Sequence, residues 1–267
     1  MTILDQIAGF AKERVERAKA IRPLEELVAE ACSMECDTGF PFEQALRGND
    51  IAFICECKKA SPSKGLIAPE FPYLQIALEY EAADAAAISV LTEPKWFLGS
   101  ESYLREIASK VRIPCLRKDF TIDEYMIWEA KVLGASAVLL IVSLLDGATL
   151  RRFISLCNRL GVSALVEVHD EAEIKTALEA EARVNGVNNR NLKDFSVDMG
   201  NSGRLRSLVP EGIIFVAESG IKTAEDVAVL RRAGVNAVLV GETLMTAQDK
   251  RAALNALRGD ERLWRSR

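Results

Sequence analysis

The chain has 267 residues, of which 49% are apolar and 27% charged. At that length and balance it can bury a large core without a metal or disulfide, and disorder, collagen-like repeats and low-complexity architectures are excluded. The 34 basic and 39 acidic residues leave a net charge of −5. No nucleic-acid or membrane partner is therefore expected, and an anionic small molecule has to be caught by a local cluster.

Residues 1–10 carry Asp5 and no basic n-region. No secretory signal is expected, and the six cysteines read as reduced thiols of a cytoplasmic protein. Ile3, Ile7, Phe10 and Ala11 then fall at helical spacing ahead of the charged stretch 12–19, and 24–31 and 42–46 form two further short helices. From residue 51 onward, apolar runs recur at 51–57, 86–91, 113–116, 137–142, 163–168, 183–187, 213–217 and 237–240, each followed by a polar loop and an amphipathic stretch. Runs that are apolar on both faces belong to a parallel sheet covered by helices. Thr121, Asp170 and Thr223 each stand three residues ahead of an acid (Glu124, Glu173, Asp226) and are the expected helix N-caps. Gly134, Gly161 and Gly234 close helices before the next strand. Eight such units predict a closed (β/α)8 TIM barrel, one domain over 1–267 in which 1–48 is an N-terminal helical extension. That extension either caps one barrel end or forms a lid over the substrate. An open doubly wound sheet fits less well, because no glycine-rich nucleotide fingerprint follows the first strand. The longest apolar run, 132–145, is shorter than the roughly 20 residues of a membrane span.

In a barrel of this kind the site lies at the C-terminal ends of the strands. Alternation along the first strand puts Glu56 and Lys58 on one face and Cys55 and Cys57 on the other. With the cysteines packed against helices as small apolar residues, the charges point into the barrel mouth. The third strand ends at Arg117-Lys118-Asp119, the fifth at Glu167-Val168-His169, and the sixth at Asn188-Asn189-Arg190. Ionised groups are seldom buried unless paired. Glu56–Lys58 and Glu167–Lys118 form either a neutralising structural network or an acid–base site. A lysine near apolar walls can act as an acid, with a carboxylate as its complementary base. His169, beside the cap at Asp170, reads as structural rather than catalytic. It is the only histidine, and no metal site is expected. The seventh strand ends in Glu218-Ser219-Gly220 and the eighth in Gly241-Glu242, the loops that form the phosphate site of the barrel fold.

The stretch Glu56-Cys57-Lys58-Lys59-Ala60-Ser61-Pro62-Ser63-Lys64-Gly65 resembles the Glu-x-Lys-x-x-Ser-Pro-Ser-x-Gly run of the indole-3-glycerol-phosphate synthase family of tryptophan biosynthesis. Weaker support comes from 116–120, 167–169, 188–190, 217–220 and the segment with Thr92-Glu93, Trp96-Phe97 and Gly99-Ser100. The resemblance implies a carboxy-lyase that acts on 1-(2-carboxyphenylamino)-1-deoxyribulose 5-phosphate by ring closure, decarboxylation and dehydration, without cofactor or metal. It implies Lys118 as the general acid of ring closure, with Glu167 and Lys58 dividing the later proton transfers in either assignment. Glu56 would hold Lys58, and Asn188 would bond a sugar hydroxyl. Ser61, Trp96, Phe97 and Phe120 would wall the aromatic ring, and Arg190 would meet a carboxylate or orient neighbouring ones. Ser219, Gly220, Gly241 and Glu242 would hold the phosphate. A monomer or weak homodimer is expected. Asn191, where the family commonly has Asp, and Cys57, where it has an aliphatic residue, depart from the pattern without removing a group the chemistry needs. A different phosphosugar isomerase or Schiff-base aldolase, or a binding protein without activity, are the competing readings.

Overall fold

The computed structural model describes residues 2–191 and 195–259. Eight parallel strands close into a barrel: β1 (Ala52–Cys57), β2 (Ala87–Leu91), β3 (Cys115–Lys118), β4 (Ala137–Ile141), β5 (Ser163–Val168), β6 (Val184–Asn188), β7 (Ile214–Glu218) and β8 (Ala237–Val240). Each strand pairs with its neighbours in sequence, and β8 closes on β1 through Ala52↔Ala237 to Cys55↔Val240. Side chains alternate between two apolar layers. Ile54, Leu116, Leu139, Leu165, Val216 and Leu239 fill the interior. Cys55, Cys57, Cys115, Val138, Leu140 and Val166 pack under the helices. Both layers are buried, which is why the strands read as largely apolar runs. Burial pushes the Cys55, Cys115 and Cys157 thiols to about 12 and Cys57 well above its usual value, so these cysteines are inert packing residues.

Three strands end later than the apolar runs predict. β3 is displaced to 115–118, β6 reaches Asn188 and β7 reaches Glu218. Backbone pairing continues under polar side chains, as in Val90↔Arg117, Leu91↔Lys118 and Asn188↔Glu218. One cap also differs. Asp123, not Thr121, caps the helix Glu124–Val132, through the Tyr125 amide, while Thr121 is buried in the preceding loop. Asp170 accepts from the Glu173 amide, and Thr223 forms a capping box with Asp226. No helix of the described residues is long and apolar enough to cross a membrane.

The N-terminal helices α1 (Ile3–Ile21), α2 (Leu24–Ser33) and α3 (Pro41–Leu46) serve both barrel ends. In α3, Phe42 and Leu46 are fully buried in the interior layer, each worth about 1.5–3 kcal/mol of apolar transfer. Glu43 of α3 pairs with Arg183 at 2.6 Å and accepts from Ser163 at 3.2 Å, at the N-terminal ends of β5 and β6. This helix is therefore the floor. By contrast, Ile3, Leu4 and Ile7 of α1 line the opposite mouth. There α1 is fastened by a two-pronged Arg14–Asp119 pair at 2.7 and 3.1 Å and by Lys19–Asp123 at 2.8 Å. The extension thus meets the barrel at both ends, α3 at the N-terminal ends of the strands and α1 at the C-terminal mouth.

Candidate active site

The C-terminal ends of the strands surround a cavity of about 960 Å³. Because Cys55 and Cys57 face the helix layer, Glu56 is turned inward and Lys58 follows it. Lys58 Nζ lies 2.6 Å from Glu56 Oε1, and Ser89 donates to Glu56 Oε2 at 3.2 Å. In β3 the same alternation sends Arg117 outward and Lys118 inward. Lys118 Nζ sits 3.3 Å from Glu167 Oε2 and 3.2 Å from Glu218 Oε2. Asn188 Nδ2 donates to Glu167 Oε1 at 3.2 Å. Glu56, Lys58, Lys118, Glu167 and Asn188, predicted from four separate strands, thus meet at one mouth.

Three carboxyls (Glu56, Glu167, Glu218) face two ammonium groups (Lys58, Lys118), and the adjoining His169 ring has its own carboxyl partner in Glu173, so one carboxyl is in excess. Burial tends to raise every carboxyl and lower Lys118. For Glu56 the burial is outweighed by Lys58 and Lys118, and for Glu167 by Lys118 and His169, so both are held below the usual carboxylate range. Glu218 absorbs the imbalance: burial, with Glu167 and Glu56 as like charges, raises its carboxyl to about 7 despite Lys118. Lys118 is held above its ordinary value because Glu218, Glu167 and Glu56 together exceed the effect of burial.

Glu218 stands at the end of the seventh strand in the sequence, beside the phosphate loop, with no role of its own expected there. Two signals could have found it. It shares the parity of Val216, which faces the interior, and Gly186 lies beside it on β6. A methyl on Gly186 would run into the Glu218 carboxylate, so glycine at a mid-strand interior position marks a neighbour that needs the space.

One end of the cavity is apolar. Phe97 and Phe120 line it with centroids 5.9 Å apart, beside Ile3, Leu4 and Ile7. Buried Glu93 accepts from the amides of Lys95, Trp96 and Phe97 at 2.7–3.0 Å and so fixes the loop that carries Phe97. Trp96, expected as a wall, packs edge-on against Phe10 of α1 at 5.6 Å and against the interior apolar cluster beside the cavity. Ser61 lines the polar side, within 3.5 Å of Ser63.

The other end is built of backbone. Ser219 and Gly220 both have left-handed φ, 67° and 84°, and Gly241 precedes the short helix Glu242–Met245, whose first amides have no partner within the helix. Gly241 has a steric reason as well, since a Cβ there would come 2.9 Å from Lys58 Nζ. Arg190 spans two loops, donating to the Phe195 carbonyl at 3.3 Å and approaching Glu242 at 4.0 Å.

Over residues 4–257 the sequence matches the family described as indole-3-glycerol phosphate synthase. The chain belongs to the indole-3-glycerol phosphate synthase family. The indole-3-glycerol phosphate synthase of Ruminiclostridium cellulolyticum is 56% identical over 257 residues, 96% of this chain and 99% of that protein. That of Endomicrobium trichonymphae is 55% identical over 243 residues, 91% and 94% of the two chains. That of Chlorobium phaeovibrioides is 45% identical over 252 residues, 94% and 98%. Among solved structures, KGPDC from Streptococcus mutans superposes with a TM-score of 0.62 at 13% identity, covering 78% of this chain and 95% of that one. Thiamine phosphate pyrophosphorylase from Pyrococcus furiosus gives 0.58 at 19% identity, covering 80% and 96%. These two show the barrel alone. In this member of the synthase family, the specific stretch 56–65 runs along one side of the mouth. It begins with the Glu56–Lys58 pair, and Lys64 at its far end reaches Glu242 at 3.1 Å.

Proposed function

We propose that the protein is an indole-3-glycerol-phosphate synthase that closes, decarboxylates and dehydrates 1-(2-carboxyphenylamino)-1-deoxy-D-ribulose 5-phosphate to indole-3-glycerol phosphate, carbon dioxide and water. The observation that carries this reading is Lys118. It is a half-buried ammonium within 3.3 Å of two carboxyl groups, in a cavity with an aromatic wall at one end and backbone amides at the other. The aryl ring lies against Phe97 and Phe120, with Ser61 on the polar side, and the phosphate lies at Ser219-Gly220 and Gly241-Glu242. Family membership supports the same substrate.

Lys118 gives its proton to the sugar carbonyl oxygen as the aryl carbon attacks. When Glu218 carries its proton, Lys118 loses one counter-charge and becomes the stronger acid. Loss of carbon dioxide restores the ring. Glu167, kept ionised by Lys118 and His169, then takes the carbon proton, and Lys58, held by Glu56, protonates the departing hydroxyl. Asn188 orients Glu167 and the sugar hydroxyl it faces, and Arg190 orients the Glu242 loop or meets the substrate carboxylate. No cofactor takes part in these steps. The protein works in the cytoplasm as a monomer or weak homodimer.

Lys118→Ala is expected to lower kcat by about 10²–10⁴-fold, the usual contribution of a positioned acid. It should still bind a phosphorylated substrate analogue. Indole fluorescence reads the turnover, and wild-type turnover in the variant would remove Lys118 from the mechanism.

A further inference from the structure

His169 is the only histidine of the chain, and it sits between two carboxylates. Glu173 Oε2 accepts the His169 backbone N–H at 2.7 Å and lies 3.1 Å from Nδ1. An ionised carboxylate only accepts, so Nδ1 carries a proton. The other ring nitrogen, Nε2, is buried, has no hydrogen-bond partner, and faces Glu167 Oε1 at 3.5 Å. A bare lone pair there would confront an anionic oxygen. A proton on Nε2 turns that repulsion into a charge-assisted contact. Asn201, from the helix Gly200–Arg206, holds the His169 carbonyl at 3.2 Å and fixes the backbone that carries the ring.

We propose that His169 is a positioning residue for Glu167: as an imidazolium clamped by Glu173, it saturates Oε1 together with Asn188 and leaves Oε2 as the oxygen that works beside Lys118. Glu167 Oε1 then faces two donors, His169 and Asn188, while Oε2 faces Lys118 at 3.3 Å. The charged groups facing the ring, among the described residues, are Glu167 from β5, Glu173 from the helix Glu171–Glu179 and, farther off, Glu218 from β7. Burial lowers the proton affinity of the ring, and these three carboxyls raise it above the ordinary value. When pH rises through that raised value, the Nε2 proton leaves and a lone pair faces Oε1. Glu167 is then misaligned as a base, so His169 sets a descending alkaline limb in kcat. The role assigned to His169 rests on the synthase reading, in which Glu167 is the base.

Two measurements test it. The first is the pH profile of turnover, followed by indole fluorescence. His169→Leu is expected to lose about 10²-fold in kcat, at the low end of general acid–base contributions, with KM within about twofold. His169→Gln, which presents an amide donor at every pH, should recover most of that loss and abolish the alkaline limb. Glu173→Gln should move the limb to lower pH. The second is nitrogen NMR of the single imidazole, which needs no turnover. Its titration midpoint should fall in both Glu167→Gln and Glu173→Gln. A midpoint unmoved by Glu167→Gln overturns the contact, and a His169→Leu enzyme with wild-type kcat and pH profile overturns the role. If the wild-type protein itself fails to turn over the substrate, the synthase reading falls and the NMR arm alone decides whether His169 governs Glu167.

Discussion

Gly186 and Gly203 make a matched pair of glycines with opposite surroundings. Gly186 is in β6, and an added methyl would meet the Glu218 carboxylate and Leu165. Gly203 is on the helix Gly200–Arg206 and has nothing within 4 Å. Overpacking an interior position typically costs about 1–3 kcal/mol. At Gly186 the group that must yield is Glu218, which holds Lys118 at 3.2 Å. Gly186→Ala is therefore expected to lower both kcat and unfolding free energy. Gly203→Ala should leave kcat unchanged and raise stability by up to about 1 kcal/mol, the helix propensity difference. Urea unfolding and steady-state kinetics on the two variants check this. Equal kinetic effects would show that the glycine in β6 is not there to make room for Glu218.

Among the elements, α1 reaches the site through a chain of buried ions. Arg14 grips Asp119, Asp119 accepts from Thr92 at 2.6 Å, and Arg117 meets Glu129 at 2.7 Å and Glu101 at 3.0 Å behind the same strand end. Removing one partner of a buried pair leaves an uncompensated charge and costs about 3–5 kcal/mol. Arg14→Ala should fall near the lower end, because Thr92 still bonds Asp119, and should raise KM, because Ile3, Leu4 and Ile7 of the same helix line the cavity. Adding Asp119→Asn should recover part of the lost stability. A denaturation midpoint unchanged in Arg14→Ala would refute the strut. The sequence disclosed the barrel because both faces of its strands are apolar, and it disclosed Glu56, Lys58, Lys118 and Glu167 because charges interrupt those runs. It hid this chain of ions. Apolar periodicity reads Arg117 as the end of a strand, whereas alternation carries it outward to Glu101 and Glu129 of the flanking helices, and only Arg14, bound to Asp119, comes from a distant segment. The contact of Trp96 with Phe10 was hidden for a related reason: in sequence, nothing links an aromatic of the loop after β2 to a ring on α1.

For the molecule as a whole, the site is a store of unfavourable charge that the barrel holds in place. Its three carboxyls and two ammonium groups cannot all be ionised without a net negative charge in a buried space, and Glu218, raised from 4.5 to about 7, carries the excess proton. In the unfolded chain a glutamate releases its proton near pH 4.3. Between that value and about 7 the native state therefore binds more protons than the unfolded one, and stability falls as pH rises across the window. Glu56 and Glu167, held below the usual range, act in the opposite sense at lower pH: their contribution is present above the unfolded value and is lost as acid protonates them. Glu218→Gln keeps the shape of the protonated acid and removes the titration. Its unfolding free energy should match that of the wild-type protein near pH 4 and exceed it increasingly through pH 5–7, by on the order of 3 kcal/mol at pH 8. The same variant should keep turnover at neutral pH and lose the part of its pH dependence that Glu218 sets, since Lys118 then has one counter-charge fewer at every pH and stays the stronger acid. Chemical denaturation at a series of pH values reads the stability difference directly. A difference that stays constant with pH would mean that Glu218 titrates as an ordinary carboxylate and that the excess charge resides on another group.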